Sequence, residues 1–135
     1  MAKLISAQDL HKKIGQGPVA LIDVRTPGEF AGAHVEQAIN APLSALDPAA
    51  LEQAGAVNRK KPVYLMCQTQ GRSSMAASSF EKAGFRNVLV VAGGMSGWKS
   101  AGHPVVSGPG AGRARQMRLA LAVVVVAGLA LAWLL

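Results

Sequence analysis

Apolar residues in the first hundred positions gather into short runs separated by mixed, helix-like stretches. Residues 19–24, Val63–Met66 and Val88–Val91 are such runs, each with the length of a buried strand. Between them, residues 48–54 and 73–83 carry helical spacing, with Ala76, Phe80 and Ala83 at i, i+4 and i+7 and Gly84 as the stop. Ser6-Ala7-Gln8-Asp9 has the form of a capping box opening a helix through Leu10 and Ile14, with Gly15 ending it. Strands alternating with helices predict an α/β fold, a parallel sheet covered on both faces. In such sheets the ligand site lies at the carboxyl ends of the strands.

The pattern changes after residue 106. Residues 107–112 are glycine-rich and read as a flexible linker, followed by Arg113, Arg115 and Arg118. Residues 119–135 carry no charge and no strongly polar group. That length is at the lower edge of the ~17–25 residues needed to cross a ~30 Å hydrocarbon core. An apolar surface on every side and a position beyond a linker disfavour a buried core helix. The expected organisation is therefore a catalytic domain over 1–106, a Gly/Arg-rich linker over 107–116 and a transmembrane helix over 117–135. Trp133 suits an interfacial anchor, and the arginines before Leu119 predict a cytoplasmic orientation for that end. The small-residue pair Gly128 and Ala132 is common by chance in so alanine-rich a run.

Composition refines this picture in three places. Half of the 135 residues are hydrophobic but only 4% are aromatic, so the core is aliphatic and alanine-rich. The net charge of +7 invites a nucleic-acid reading, but three of the fourteen basic residues stand in the short stretch before Leu119 and no basic face is interleaved with aromatics. Nucleic acid is accordingly not an expected partner, and Arg59-Lys60-Lys61 reads as a solvated loop. A single cysteine excludes an intramolecular disulfide framework. Residues 1–14 hold Lys3, Asp9, His11, Lys12 and Lys13 without the apolar core of a signal peptide.

That cysteine, Cys67, follows the run Val63–Met66 and opens the segment Cys67-Gln68-Thr69-Gln70-Gly71-Arg72-Ser73. A thiol on a strand-to-helix turn meets converging backbone N–H groups and a helix N-terminus, which bind anions and favour a thiolate. A buried structural cysteine is the alternative; the polar loop, Gly71 and Arg72 argue for a reactive one.

Upstream stand Leu21-Ile22-Asp23-Val24-Arg25-Thr26-Pro27-Gly28-Glu29-Phe30, Ala33-His34-Val35 and Ala38-Ile39-Asn40-Ala41-Pro42. Downstream stand Gly93-Gly94-Met95-Ser96-Gly97-Trp98 and Ala101-Gly102-His103-Pro104-Val105. In this order around a Cys-x4-Arg-Ser loop, the segments resemble the single-domain rhodanese family of sulfurtransferases, from about Leu4 to Val106. Ala33 and Gln37 depart from the family, which usually has glycine at both places. Residues 115–120 and their apolar continuation also resemble the membrane part of an inner-membrane rhodanese family, whose members carry a two-helix hairpin; one such apolar run is present here.

The resemblance implies a thiosulfate sulfurtransferase on the cytoplasmic membrane, its catalytic domain facing the cytoplasm. Cys67 would attack the outer sulfur of a small anionic donor such as thiosulfate and hold it as a persulfide until a thiol or cyanide removes it. No cofactor is needed beyond that covalent intermediate. With one Cys and widely separated His11, His34 and His103, no metal-ligand spacing appears. The N–H groups of Gln68, Thr69, Gln70, Gly71 and Ser73 would cradle the sulfur. Two roles are open to Arg72: drawing in the anionic donor, or pairing with a carboxylate such as Glu29. Asp23 and Arg25 would orient backbone near the loop, His34 would make a structural hydrogen bond, and Trp98 would pack.

Two other readings compete. Phosphatases and arsenate reductases of the same fold have a loop one residue longer than the six from Cys67 to Arg72, which favours sulfur transfer here. The other is a membrane-tethered thiol sensor or adaptor whose Cys67 is modified by oxidation, nitrosation or persulfidation; a pure adaptor would need neither Cys67 nor Arg72.

Overall fold

The computed structural model describes residues 2–109, which form a five-stranded parallel sheet with helices on both faces. In chain order the elements are β1 (Lys3–Ile5), α1 (Ala7–Gln16), β2 (Ala20–Asp23), α2 (Pro27–Gly32), β3 (Ile39–Asn40), a short 3₁₀ turn (Leu43–Ala45), α3 (Pro48–Gln53), β4 (Val63–Met66), α4 (Gly71–Lys82), β5 (Val88–Val91) and α5 (Gly94–Ser100). The strand order is β1-β5-β4-β2-β3. Central β4 pairs with β2 through Ala20↔Val63 to Asp23↔Met66 and with β5 through Val63↔Val88 to Leu65↔Val90.

Alternation along β4 divides the core in two. Val63 and Leu65 point into one layer with Ile22, Ala76, Ala77, Phe80 and Phe85. Tyr64 and Met66 point into the other with Leu10, Leu21, Phe30, Met95 and Trp98. All four β4 residues are buried, as expected for a strand covered on both faces. Cys67 continues the alternation into the first layer and is 1% exposed.

Helix boundaries follow local chemistry. Ser6 caps α1, its hydroxyl accepting the Asp9 N–H at 3.0 Å. The helix passes the expected stop at Gly15 and ends at Gly17, the glycine with positive φ, whose N–H donates to the Ile14 carbonyl. Thr26 and Glu29 form a full capping box on α2, with Pro27 at its first turn.

The domain also reaches past residue 106. His34 and Val106 form an antiparallel bridge, and the Gly108 N–H donates to the Ala31 carbonyl at 2.9 Å. Among the described residues no helix is long and apolar enough to cross a membrane; the expected transmembrane helix over 117–135 and most of the linker lie outside them.

Candidate active site

Cys67 stands immediately after the carboxyl end of β4, the central strand, where α4 begins four residues later. The Ser73 N–H, in the first turn of α4, donates to its Sγ at 3.4 Å. The opening N–H groups of a helix have no intrahelical acceptors, which leaves the Ser73 N–H free to take the sulfur. Ser73 is fully buried, and its hydroxyl has no protein partner. Gln68, Thr69, Gln70, Gly71 and Arg72 form the accessible part of the loop.

The loop is held from α5. The Met95 N–H donates to the Cys67 carbonyl at 2.8 Å and the Ser96 N–H to the Gln68 carbonyl at 3.0 Å. These bonds turn the loop carbonyls toward α5. Both glycines that open this helix have positive φ, +73° at Gly93 and +53° at Gly94. A Cβ on Gly94 would overlap the carbonyl oxygens of Cys67 and Thr69, so only glycine permits this approach.

Side chains add a second set of ties. Gln68 Nε2 donates to Ser96 Oγ at 3.1 Å, and Gln68 Oε1 accepts from Arg25 Nη1 at 3.3 Å. Arg25 also holds Asp23 through Nε at 3.0 Å and Nη2 at 2.8 Å, and donates to the carbonyls of Ala33 at 2.7 Å and Glu29 at 3.3 Å. This buried pair joins the end of β2, helix α2 and the reactive loop. Asn40 Nδ2 donates to the Asp23 and Arg25 carbonyls at 3.0 and 2.9 Å, bracing the turn from β3.

Arg72 pairs with Glu29 through two bonds, Nη1–Oε1 at 2.6 Å and Nη2–Oε2 at 2.9 Å. Of the two roles open to Arg72 in the sequence, the structure displays the carboxylate pair. Its hydrogen bonds to Glu29 lower that carboxyl from 4.5 to about 2, burial opposing and Thr26 assisting. The same bonds raise the Arg72 guanidinium.

The expected site residues thus divide into two sets. Cys67, Gln68, Thr69, Gln70, Gly71, Arg72 and Ser73 make the loop, and Asp23, Arg25 and Glu29 meet it through Gln68 and Arg72. Asp23 is the last residue of β2. His34 lies apart from these contacts: its Nδ1 donates to the Phe30 carbonyl at 2.7 Å and its ring stacks on Phe30 at 3.7 Å. Trp98 is a packing residue, 1% exposed, with Nε1 donating to the Pro104 carbonyl at 2.9 Å. Asn40, Gly94 and Ser96 stand within the sequence motifs, but no local signal there assigns them a role. A groove of about 480 Å³ lies at the amino ends of β2 and β4, lined by Val19, Val57 and Tyr64, away from Cys67.

Known proteins share this sequence pattern and fold. An uncharacterised Synechocystis protein is 38% identical over 102 residues, covering 76% of this chain and 55% of its own length. An Arabidopsis thaliana protein named thiosulfate sulfurtransferase 16, chloroplastic, is 35% identical over 91 residues, covering 62% of this chain and 76% of its own. Several curated relatives are thus longer, the chain spanning little more than half of the Synechocystis protein. Among solved structures, a rhodanese-related protein from Thermoplasma volcanium superposes with TM-score 0.63 at 30% identity, covering 77% of this chain and 97% of that one. The thiosulfate sulfurtransferase from Pseudomonas aeruginosa superposes with TM-score 0.69 at 28% identity, covering 78% and 20%. The rhodanese-like domain model matches residues 6–101, which span every element from α1 to α5, and the chain belongs to the rhodanese family.

Proposed function

We propose that the chain is a rhodanese-type sulfurtransferase that carries sulfane sulfur from thiosulfate or a related donor to a thiol or cyanide through a persulfide on Cys67. The observation that carries this reading is the Ser73 N–H on Cys67 Sγ at 3.4 Å, within a loop locked by α5. Relatives named as sulfurtransferases support it.

In the first half-reaction the Cys67 thiolate bonds the outer sulfur of the donor. The donor's S–S bond breaks and its electron pair leaves with sulfite, giving Cys67–S–S⁻. In the second, an acceptor thiolate or cyanide takes the outer sulfur and restores the thiolate. Charge thus moves outward by one atom, into the ring of loop N–H groups. Donors fixed by α4 and α5 need no reorganisation to receive it. Arg25, Asp23 and Asn40 act by holding the loop. The six-residue span from Cys67 to Arg72 fits a terminal sulfur; relatives of the fold that handle phosphate or arsenate have a wider ring.

We further propose that residues 119–135 anchor the chain in the cytoplasmic membrane, with the domain on the cytoplasmic face. Their unbroken apolar character and the preceding arginines support this.

Intact-mass measurement tests the chemistry. After incubation with thiosulfate or with an organic persulfide, and removal of the excess, one sulfur atom is expected on Cys67, released on adding cyanide. A protein that stays unmodified with both donors would overturn the reading.

A further inference from the structure

We infer that Glu29 sets donor choice, holding Arg72 so that the site takes sulfur from a thiol-bound persulfide in preference to dianionic thiosulfate. The inference rests on the sulfurtransferase reading and names its donor class.

Both guanidiniums beside the loop are already paired with a carboxylate. The five N–H groups of Arg25 go to Asp23, Gln68 and the carbonyls of Glu29 and Ala33. Arg72 forks onto both oxygens of Glu29 at 2.6 and 2.9 Å. The other loop side chains, from Gln68 to Gly71 and Ser73, carry no charge. Each cation at the loop is therefore matched by one carboxylate, and a Cys67 thiolate makes the site negative.

Thiosulfate would bring two further negative charges into this site and leave two on departing sulfite. A persulfide R–S–SH asks less of it. The Cys67 thiolate bonds the outer sulfur, the donor's S–S bond breaks, and the electron pair leaves as R–S⁻. That thiolate takes the proton of the transferred sulfur, giving R–SH and Cys67–S–S⁻, so one negative charge enters the step and one remains. The carrier R also has a surface to meet. Met75, 64% exposed, stands one turn after Arg72 on the same face of α4. The ion pair persists across the neutral range, because Glu29 stays ionised down to about pH 2.

Glu29→Gln is a clean probe. The substituted amide keeps an oxygen for the capping box with Thr26, since Glu and Gln both serve there, while the charge and the acceptor for Arg72 Nη2 are removed, leaving the Arg72 charge unpaired. The experiment measures second-order rate constants for loading Cys67 with sulfur, by quench and mass spectrometry on the full chain. The donors are thiosulfate and cysteine persulfide. The parent is expected to load from cysteine persulfide faster by about tenfold or more, and Glu29→Gln to speed thiosulfate loading by about tenfold, narrowing the ratio. A parent that prefers thiosulfate, or a folded Glu29→Gln protein with an unchanged donor ratio, would overturn the inference and leave the sulfurtransferase reading standing. Failure of both donors to load the parent would overturn both.

Discussion

At the scale of single residues, the site depends on one sulfur and one carboxylate. Cys67 is 1% exposed, and in the proposed reaction its thiol is both nucleophile and sulfur carrier. Cys67→Ser is therefore expected to abolish sulfur loading while its unfolding midpoint stays close to the parent's; loading measured by mass would reveal any surviving route. Glu29 makes a pH prediction with a definite sign. Its folded pKa of about 2 lies below the ordinary 4.5, so the unfolded chain binds more protons between these values. Its stabilisation is present above 4.5 and drains as pH falls toward 2. Urea midpoints measured down through that window should fall more steeply for the parent than for Glu29→Gln, and parallel curves would refute the assignment. Solvent screening keeps the effect modest, as the side chain is 33% exposed. Cys67 and the loop are legible in the sequence because a thiol, a glycine and an arginine stand together after an apolar run. The choice between partners for Arg72 is not, because it depends on Glu29 arriving from another helix. Asn40 is equally hidden, its role being a bond to carbonyls on a neighbouring turn.

At the scale of elements, α5 shapes the active loop as much as β4 and α4 do. Its first turn binds the Cys67 and Gln68 carbonyls through the Met95 and Ser96 N–H groups, across a contact that admits no side chain. Gly94→Ala adds a collision with two carbonyl oxygens and a left-handed backbone that alanine resists. A loss of roughly 2 kcal/mol or more is expected in chemical denaturation, with slower loading of Cys67 in whatever protein folds. Gly102→Ala, at another positive φ with open space around it, isolates the backbone part of that cost. Strands β4 and β5 are readable end to end because four consecutive apolar residues mark a strand buried on both sides. Strand β2 lies within the expected run 19–24, whereas β1 and β3 give weaker signals. In β1 only Ile5 is buried, and β3 has two residues, so neither forms a periodic pattern. Helix α1 outruns the stop suggested by Gly15, because that glycine is helical and Gly17 makes the turn.

At the scale of the whole molecule, the site lies at the carboxyl end of the sheet's central strand and the chain leaves the domain beside helix α2, tied by the His34–Val106 bridge. If residues 119–135 insert as proposed, the full chain should sediment with membranes and resist extraction by high salt, while a fragment ending at residue 109 should remain in the supernatant and still load sulfur. A full chain released by salt alone would point to surface attachment instead. The sheet order also governs timing. Edge strand β1 contains residue 3, yet its partner in the sheet is residue 89 of β5. The first strand to be synthesised therefore waits for almost the whole domain before its ladder can close. Central β4 and its partner β2 are likewise synthesised before β5, so the other edge of β4 has no strand to pair with until β5 follows. Translation at roughly 5–20 residues per second leaves that edge uncovered for about one to five seconds, far longer than local helices need to form. During that interval the loop carrying Cys67 has no α5 to hold its carbonyls, so the loop reaches its final shape only once α5 has been made.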